Sequence, residues 1–124
     1  MESTTTTVIS ARQKEIVQQY IAALDKHMLE LKAGQVEIML EISDFANILH
    51  IHPVHLSNTV KQVTGRSSCD LFEDRLVNLS KELLTTTTAP VAEIARQMTY
   101  DPSNFTKFFK RFVGMTPKMY RNSL

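Results

Sequence analysis

A single cysteine, Cys69, stands in a chain of 124 residues. That excludes an internal disulfide framework and the cysteine-rich zinc sites, and it fits a reducing compartment. Glycine and proline are scarce, three and four residues respectively. Turn-rich all-β folds need more of both, so the composition points to helices. No apolar run approaches the roughly 20 residues a membrane helix requires. No basic segment followed by an apolar run suggests a secretion signal, so a cytoplasmic protein is expected. Ser/His/Asp order, a Gly-rich phosphate loop, paired acids and metal-ligand spacing are all missing, so no catalytic residue, cofactor or metal is expected. An excess of one charge is missing too, since the net charge is +1.

What is present is enough apolar material, 43% of residues, to build the core of one domain or of two very small ones. The charge is unevenly placed. Residues 1–42 carry Arg12, Lys14, Lys26 and Lys32 against six acids. Residues 103–124 carry Lys107, Lys110, Arg111, Lys118 and Arg121 and no acid. A near-neutral protein with one basic end can bind a polyanion there, although a solvated basic helix gives the same count.

Residues 1–10 contain a threonine run, Thr4 to Thr7, and read as a disordered start. From 12 to 31, Ile16, Val17, Tyr20, Ile21, Leu24, Met28 and Leu31 recur at three- and four-residue steps, the pattern of an amphipathic helix. Gly34 follows its expected end. The alternation of Val36, Ile38, Leu40 and Ile42 resembles a strand. With no partner strand elsewhere, a connector and the start of a second helix are expected.

The most informative feature is an internal repeat. A shift of 49 residues aligns Phe45-Ala46, Leu49, Ile51, Pro53, Leu56, Val60-Lys61, Val63, Gly65 and Ser67 with Ile94-Ala95, Met98, Tyr100, Pro102, Phe105, Phe109-Lys110, Phe112, Gly114 and Thr116. Each copy predicts a short helix (44–50 and 91–99), a tight turn, and a longer helix opened by proline, whose missing N–H costs nothing there. Asp101 suits the capping position before the proline and His52 suits it poorly. Leu56, Val60 and Val63, and Phe105, Phe109 and Phe112, are expected to face inward. Gly65 and Gly114 end the helices. Each copy is a helix-turn-helix. Ser67 or Ser68 starts a connecting helix with Leu71, Phe72, Leu76, Leu79, Leu83 and Leu84 on its apolar side, and Thr85 to Thr88 break it. The expected organisation is a start (1–10), an N-terminal helix and connector (11–42), a first helix-turn-helix (43–67), a linker helix (68–88), and a second helix-turn-helix with a C-terminal helix (89–124).

These residues resemble the DNA-binding module of the AraC/XylS family of bacterial transcription regulators, over about 12–123. The second copy carries the most specific part: Glu93-Ile94-Ala95, Asp101-Pro102-Ser103-Asn104-Phe105, Phe108-Phe109-Lys110-Arg111-Phe112, Gly114-Met115-Thr116-Pro117 and Tyr120-Arg121. The first, with Phe45-Ala46, Pro53, Leu56-Ser57, Lys61 and Thr64-Gly65-Arg66-Ser67, is looser, and Arg75 and Leu83-Leu84 match the linker helix. The family's usual turn glycines are replaced by His50 and Thr99, its usual serine before the first proline by His52, and a frequent DNA-contacting arginine by Asn58. The turn of the second copy looks one residue shorter than the commonest family form.

The resemblance implies an all-α module of about seven helices, two helix-turn-helix units joined by a linker helix. It would read two successive major grooves as a monomer, about one DNA turn apart. By register with the family, Val54, His55, Ser57 and Asn58 in the first unit, and Ser103, Asn104, Thr106 and Lys107 in the second, would meet base edges. Asparagine can pair with adenine, valine can touch a thymine methyl, and Lys107 suits guanine or phosphate. Lys61, Arg66, Lys110 and Arg111 would hold phosphates. The resemblance also implies double-stranded DNA as partner, RNA polymerase as a further one, activation more often than repression, and a place on the bacterial nucleoid.

His50, His52 and His55 form an H-x-H-x-x-H pattern with no cysteine or acid among them. Turn and cap residues are the favoured reading, ahead of a pH-sensitive contact through His55 and of a zinc site, which wants four placed ligands. Cys69 reads as inert. The chain has no room for the ligand-sensing domain of many relatives. That leaves a self-contained regulator or a fragment of a longer one, and the N-terminal Met and the helix from Arg12 to Leu31 favour the self-contained reading. A helical protein-interaction module that no longer reads DNA is the alternative.

Overall fold

The computed structural model describes residues 8–124. Residues 1–7 of the expected disordered start lie outside the described residues, and 8–10 have no regular structure. Seven helices follow among the described residues, with no strand: α1 (Ala11–Lys32), α2 (Ile42–Ile48), α3 (Pro53–Thr64), α4 (Ser68–Thr86), α5 (Val91–Gln97), α6 (Pro102–Val113) and α7 (Pro117–Asn122). The alternating stretch before α2 is a connector, as expected.

The chain forms two compact units. The first comprises the described residues up to Asp25 with 40–72, and the second comprises 26–39 with 73–124. In the first unit, Ile16, Val17, Tyr20 and Leu24 of α1 are buried with Phe45, Ala46, Leu56, Val60 and Leu71. The Tyr20 ring meets Phe45 edge-on at 5.7 Å, and its hydroxyl donates to the Ser68 carbonyl at 2.9 Å. A buried phenol thus keeps its polar end satisfied while its ring fills the core. In the second unit, Met28, Leu31, Leu76, Leu79, Leu83, Leu84, Ile94, Ala95, Met98, Phe105 and Phe109 are buried. Each fully buried large apolar side chain contributes about 1.5–3 kcal/mol. Gln97 donates to the Lys32 carbonyl at 2.6 Å, and Arg121 donates to the Leu84 carbonyl at 3.0 Å. Long polar side chains thereby satisfy helix-end carbonyls that would otherwise lack a partner.

The structure moves several expected boundaries. α2 covers 42–48 rather than 44–50, and α5 stops at Gln97 rather than Thr99. α4 continues through Thr85 and Thr86. The threonines do not break it because Thr86 and Thr87 turn their hydroxyls back onto the Glu82 and Leu83 carbonyls, both at 2.7 Å. This back-bonding lets a β-branched residue end a helix without interrupting it.

The turns inside the two units share one hydrogen-bond register. Ile51 N–H donates to the Ala46 carbonyl (3.0 Å) and His50 N–H to Asn47 (3.1 Å). Tyr100 N–H donates to Ala95 (2.8 Å) and Thr99 N–H to Arg96 (2.9 Å). Both are Schellman ends, which place one residue in the left-handed region. The second turn is therefore no shorter than the first. His50 has φ 58° and Thr99 φ 65°. For a β-branched threonine this backbone is strained. Thr99→Gly is expected to raise unfolding stability by about 1 kcal/mol. Chemical denaturation checks it, and a destabilised variant would show that Thr99 is not strained.

A fourth histidine, His27, is buried at 2% exposure on α1. Its Nδ1 lies 3.8 Å from a Glu30 carboxylate oxygen. Burial holds its pKa below the ordinary imidazole value, and the nearby Glu30 opposes this only partly. His27 is thus neutral in the fold, whereas in the unfolded chain it takes a proton near pH 6.5. Below that pH the unfolded state binds more protons, so stability falls as pH drops from about 6.5. His27→Leu should lose less stability than the native chain between pH 7 and pH 5. Equal losses in denaturant titrations would exclude His27 as the source.

Candidate nucleic-acid interface

The two proline-opened helices carry the candidate site, and each is held at its start by a side chain two residues before the first exposed amide. Asp101 accepts from Ser103 N–H at 3.1 Å and from the Ser103 hydroxyl at 2.7 Å. These bonds hold its carboxyl below the usual carboxylate range, with the Lys107 charge adding to the effect. His52 caps too, although histidine is a poor residue type for that position: its Nδ1 accepts from Val54 N–H at 3.1 Å. An unprotonated ring nitrogen offers the lone pair that the N-terminal amide needs. Gly65 (φ 76°) and Gly114 (φ 88°) close the helices, and their N–H groups donate to the Lys61 and Lys110 carbonyls, both at 2.9 Å.

With the starts fixed, helical spacing decides what faces outward. On α3, Val54, His55, Asn58, Lys61 and Gln62 are exposed. On α6, Ser103, Asn104, Lys107, Lys110 and Arg111 are exposed. Every one of these pairs is separated by 49 residues, so the repeat extends to the outer faces. Ser57 and Thr106 lie at the edge of each stripe, partly buried. Leu56, Thr59 and Val60 on α3, and Phe105 and Phe109 on α6, hold the opposite faces in their cores.

The expected site residues are not all free to act alike. The Ser103 hydroxyl is committed to the Asp101 cap, and the Thr106 hydroxyl donates to the Pro102 carbonyl at 3.1 Å. Lys61 Nζ donates to the Gly65 carbonyl at 3.0 Å, at the end of its own helix. Arg66 is exposed just beyond α3. Gln62 is the repeat partner of Arg111, 49 residues apart. It accepts from Gln13 of α1 at 2.7 Å, which ties it to the first unit.

One expected core residue is corrected. Phe112 is 41% exposed. Its ring lies 5.2 Å from Phe108 and under the Arg111 guanidinium at 5.3 Å. Its repeat partner Val63 is partly buried and packs on the first core. Behind α6, Tyr100 stacks on Phe108 at 5.3 Å. Burial and the Glu73 charge push its phenol pKa up. Among the described residues no group of three or more His, Cys, Asp or Glu could hold a metal ion. No described helix is long and apolar enough to cross a membrane.

Comparison with known proteins places this arrangement. Residues 45–123 match the model of a helix-turn-helix domain family. An uncharacterised HTH-type transcriptional regulator of Bacillus subtilis, YobQ, is 29% identical over 105 residues, which is 84% of this chain and 40% of that protein. The chain thus spans well under half the length of the curated relatives it matches first. Among solved structures, the C-terminal domain of AraT, a response regulator from Geobacillus stearothermophilus, superposes with a TM-score of 0.77. It is 28% identical, over 95% of this chain and 89% of that one. The DNA-binding domain of AdpA, solved with a target DNA, shares the fold at a TM-score of 0.67 and 19% identity, over 85% of this chain and 92% of that one. The chain belongs to the AraC-type helix-turn-helix family of DNA-binding transcription regulators.

Proposed function

We propose that the chain is a sequence-specific transcription regulator that reads two adjacent major grooves of one duplex as a monomer, with α3 in one and α6 in the other. The observation that carries this reading is the repeated outer stripe. Two twelve-residue helices, each opened by proline and capped, expose chemically usable side chains at positions 49 apart. In this reading Val54, His55, Ser57, Asn58, Ser103, Asn104, Thr106 and Lys107 face base edges. Lys61, Arg66, Lys110 and Arg111 face phosphates, which set position and supply salt-dependent affinity. The engaged hydroxyls of Ser103 and Thr106 leave Asn104 and Lys107 as the main readers of the second unit. RNA polymerase as a partner and the nucleoid as location belong to the same reading.

Selection of bound fragments from sheared genomic DNA at two salt concentrations tests it. The expected result is a bipartite motif with half-sites about 10–10.5 base pairs apart. Binding should weaken steeply with salt, with one chain per site in a titration. A single half-site, or two chains per site, would overturn monomeric reading of two grooves. No enrichment at either salt would overturn DNA reading and leave a helical protein-interaction module.

A further inference from the structure

The two proline-opened helices share a register but not a cap. α6 is held by a carboxylate: Asp101 accepts from Ser103 N–H at 3.1 Å. α3 is held by an imidazole: His52 Nδ1 accepts from Val54 N–H at 3.1 Å. The two capping residues are 49 apart, so each is the other's counterpart in the repeat. Both are exposed, so solvent protons reach both.

A cap of this kind works through a lone pair. The Ser103 bonds hold the Asp101 carboxyl below the usual carboxylate range, so it stays ionised in mild acid. Imidazole differs, because its ordinary charge change falls between about pH 5 and pH 8. Once protonated, both ring nitrogens are donors. Nδ1 then cannot accept from Val54 N–H, and the new charge sits at the positive end of the helix dipole. Both effects loosen the first turn of α3.

The surrounding charges do not offset this. On the turn and on α3 the other titratable groups are His50, His55 and Lys61, with Arg66 just beyond. α2 brings Asp44, whose carboxylate accepts from Glu41 N–H at 2.8 Å. α1 brings Arg12, Lys14, Glu15 and Asp25, with Arg12 paired to Glu15, and the start of α4 brings Asp70. No described carboxylate forms an ion pair with His52.

Resting on the DNA-reading function above, we propose that His52 is an acid-sensitive switch on the first unit. Its neutral ring locks the start of α3, and its protonation releases that start while α6 stays locked. Binding through α3 then weakens in mild acid, and binding through α6 does not.

The cap is tested first without DNA, on the full chain. Hydrogen exchange of single amides is followed by NMR at pH 8 and pH 5, each rate divided by that of an unstructured peptide at the same pH. Protection of Val54 N–H should fall about fivefold on acidification, the worth of one helix cap, while that of Ser103 N–H holds. His52→Ser supplies a hydroxyl that caps at both pH values, and His52→Ala supplies no acceptor. Val54 protection should stay high in the first and low in the second. Circular dichroism confirms that each chain is folded at both pH values. Unchanged Val54 protection in the native chain would overturn the switch, and so would an acid loss that persists in His52→Ser. Either result leaves the DNA-reading function intact.

Fluorescence anisotropy on a selected operator reads the consequence. Between pH 8 and pH 5 the native chain should lose about fivefold more affinity than His52→Ser. Both chains keep His27, His50 and His55, so those titrations cancel in the comparison. Equal losses would overturn control of DNA binding by His52. No specific operator binding at either pH would overturn the DNA-reading function, whereas the amide measurement decides the cap independently.

Discussion

Lys107→Ala is expected to weaken binding to the selected operator by about 1–3 kcal/mol, a factor of roughly 5 to 150. Lys107 is exposed on α6, and Asn104 lies one turn before it on the same stripe. The cap at Asp101 fixes the register of that turn, and Phe105 and Phe109, both 0% exposed, fix its rotation. The ammonium is thus presented from a rigid element, so that its loss is not repaired by neighbours. Two chemistries for Lys107 give different signatures. A base contact relaxes preference at one operator position. A phosphate contact weakens all sequences alike and lowers the salt slope by about one. Fluorescence anisotropy on the operator and on single-position variants, at several salt concentrations, separates them. Asn104→Ala should lose a similar amount with little change in salt slope, since an amide releases no counterion. Unchanged affinity in both folded variants would remove α6 from the reading surface.

Phe109→Ala should destabilise the second unit by about 3–5 kcal/mol. A domain of this size has about 5–15 kcal/mol in total, so most of the margin would go. The Phe109 ring is fully buried, with Phe105 at 6.1 Å and Tyr120 edge-on at 5.5 Å between centroids. Truncation would leave a cavity between α6 and α7 and remove both ring contacts at once. Phe112→Ala, three residues along the same helix, should cost less than about 1 kcal/mol, because much of that ring already faces water. Thermal or urea denaturation of the two variants gives the comparison directly. Comparable losses would mean that Phe112 is buried in solution.

The contrast between these two phenylalanines marks where sequence periodicity stops being informative. Positions 105, 109 and 112 share one helix face, and in the first unit 56, 60 and 63 do the same. Spacing places all six on the inward face, and Phe112 is the one of them that is exposed. Spacing does not say whether a neighbouring element covers the last turn of that face. Val63 packs on the first core, whereas Phe112 is left between Phe108 and Arg111. The helix-turn-helix pairs and the glycine ends were readable because each depends on residues a few positions apart. The strain at Thr99 was readable in part: a missing turn glycine signals it, and only the backbone angle of 65° establishes it.

His52 shows the same division at the site itself. Residue preference disfavours histidine as a cap, yet the extended backbone there turns Nδ1 toward Val54 N–H. The amphipathic pattern of α1 was visible in its apolar residues, and His27 falls on the same stripe, three residues after Leu24 and four before Leu31, so its position signals burial and only its polar side chain argues against it. It is 2% exposed.

The sequence by itself determined the helical class, the 49-residue repeat, the proline-opened helices with their glycine ends, and the stripe of candidate readers. All of these rest on interactions within one or two helical turns, or on the comparison of one copy with the other. The tertiary structure alone decided that Phe112 is exposed. It also decided that Gln62 is held by Gln13, and that Val54 stands clear while Ser103 is drawn into its cap. These depend on which groups far apart in the chain, or which backbone dihedrals at a cap, come together. Packing between elements selects among side-chain environments that local periodicity leaves equivalent.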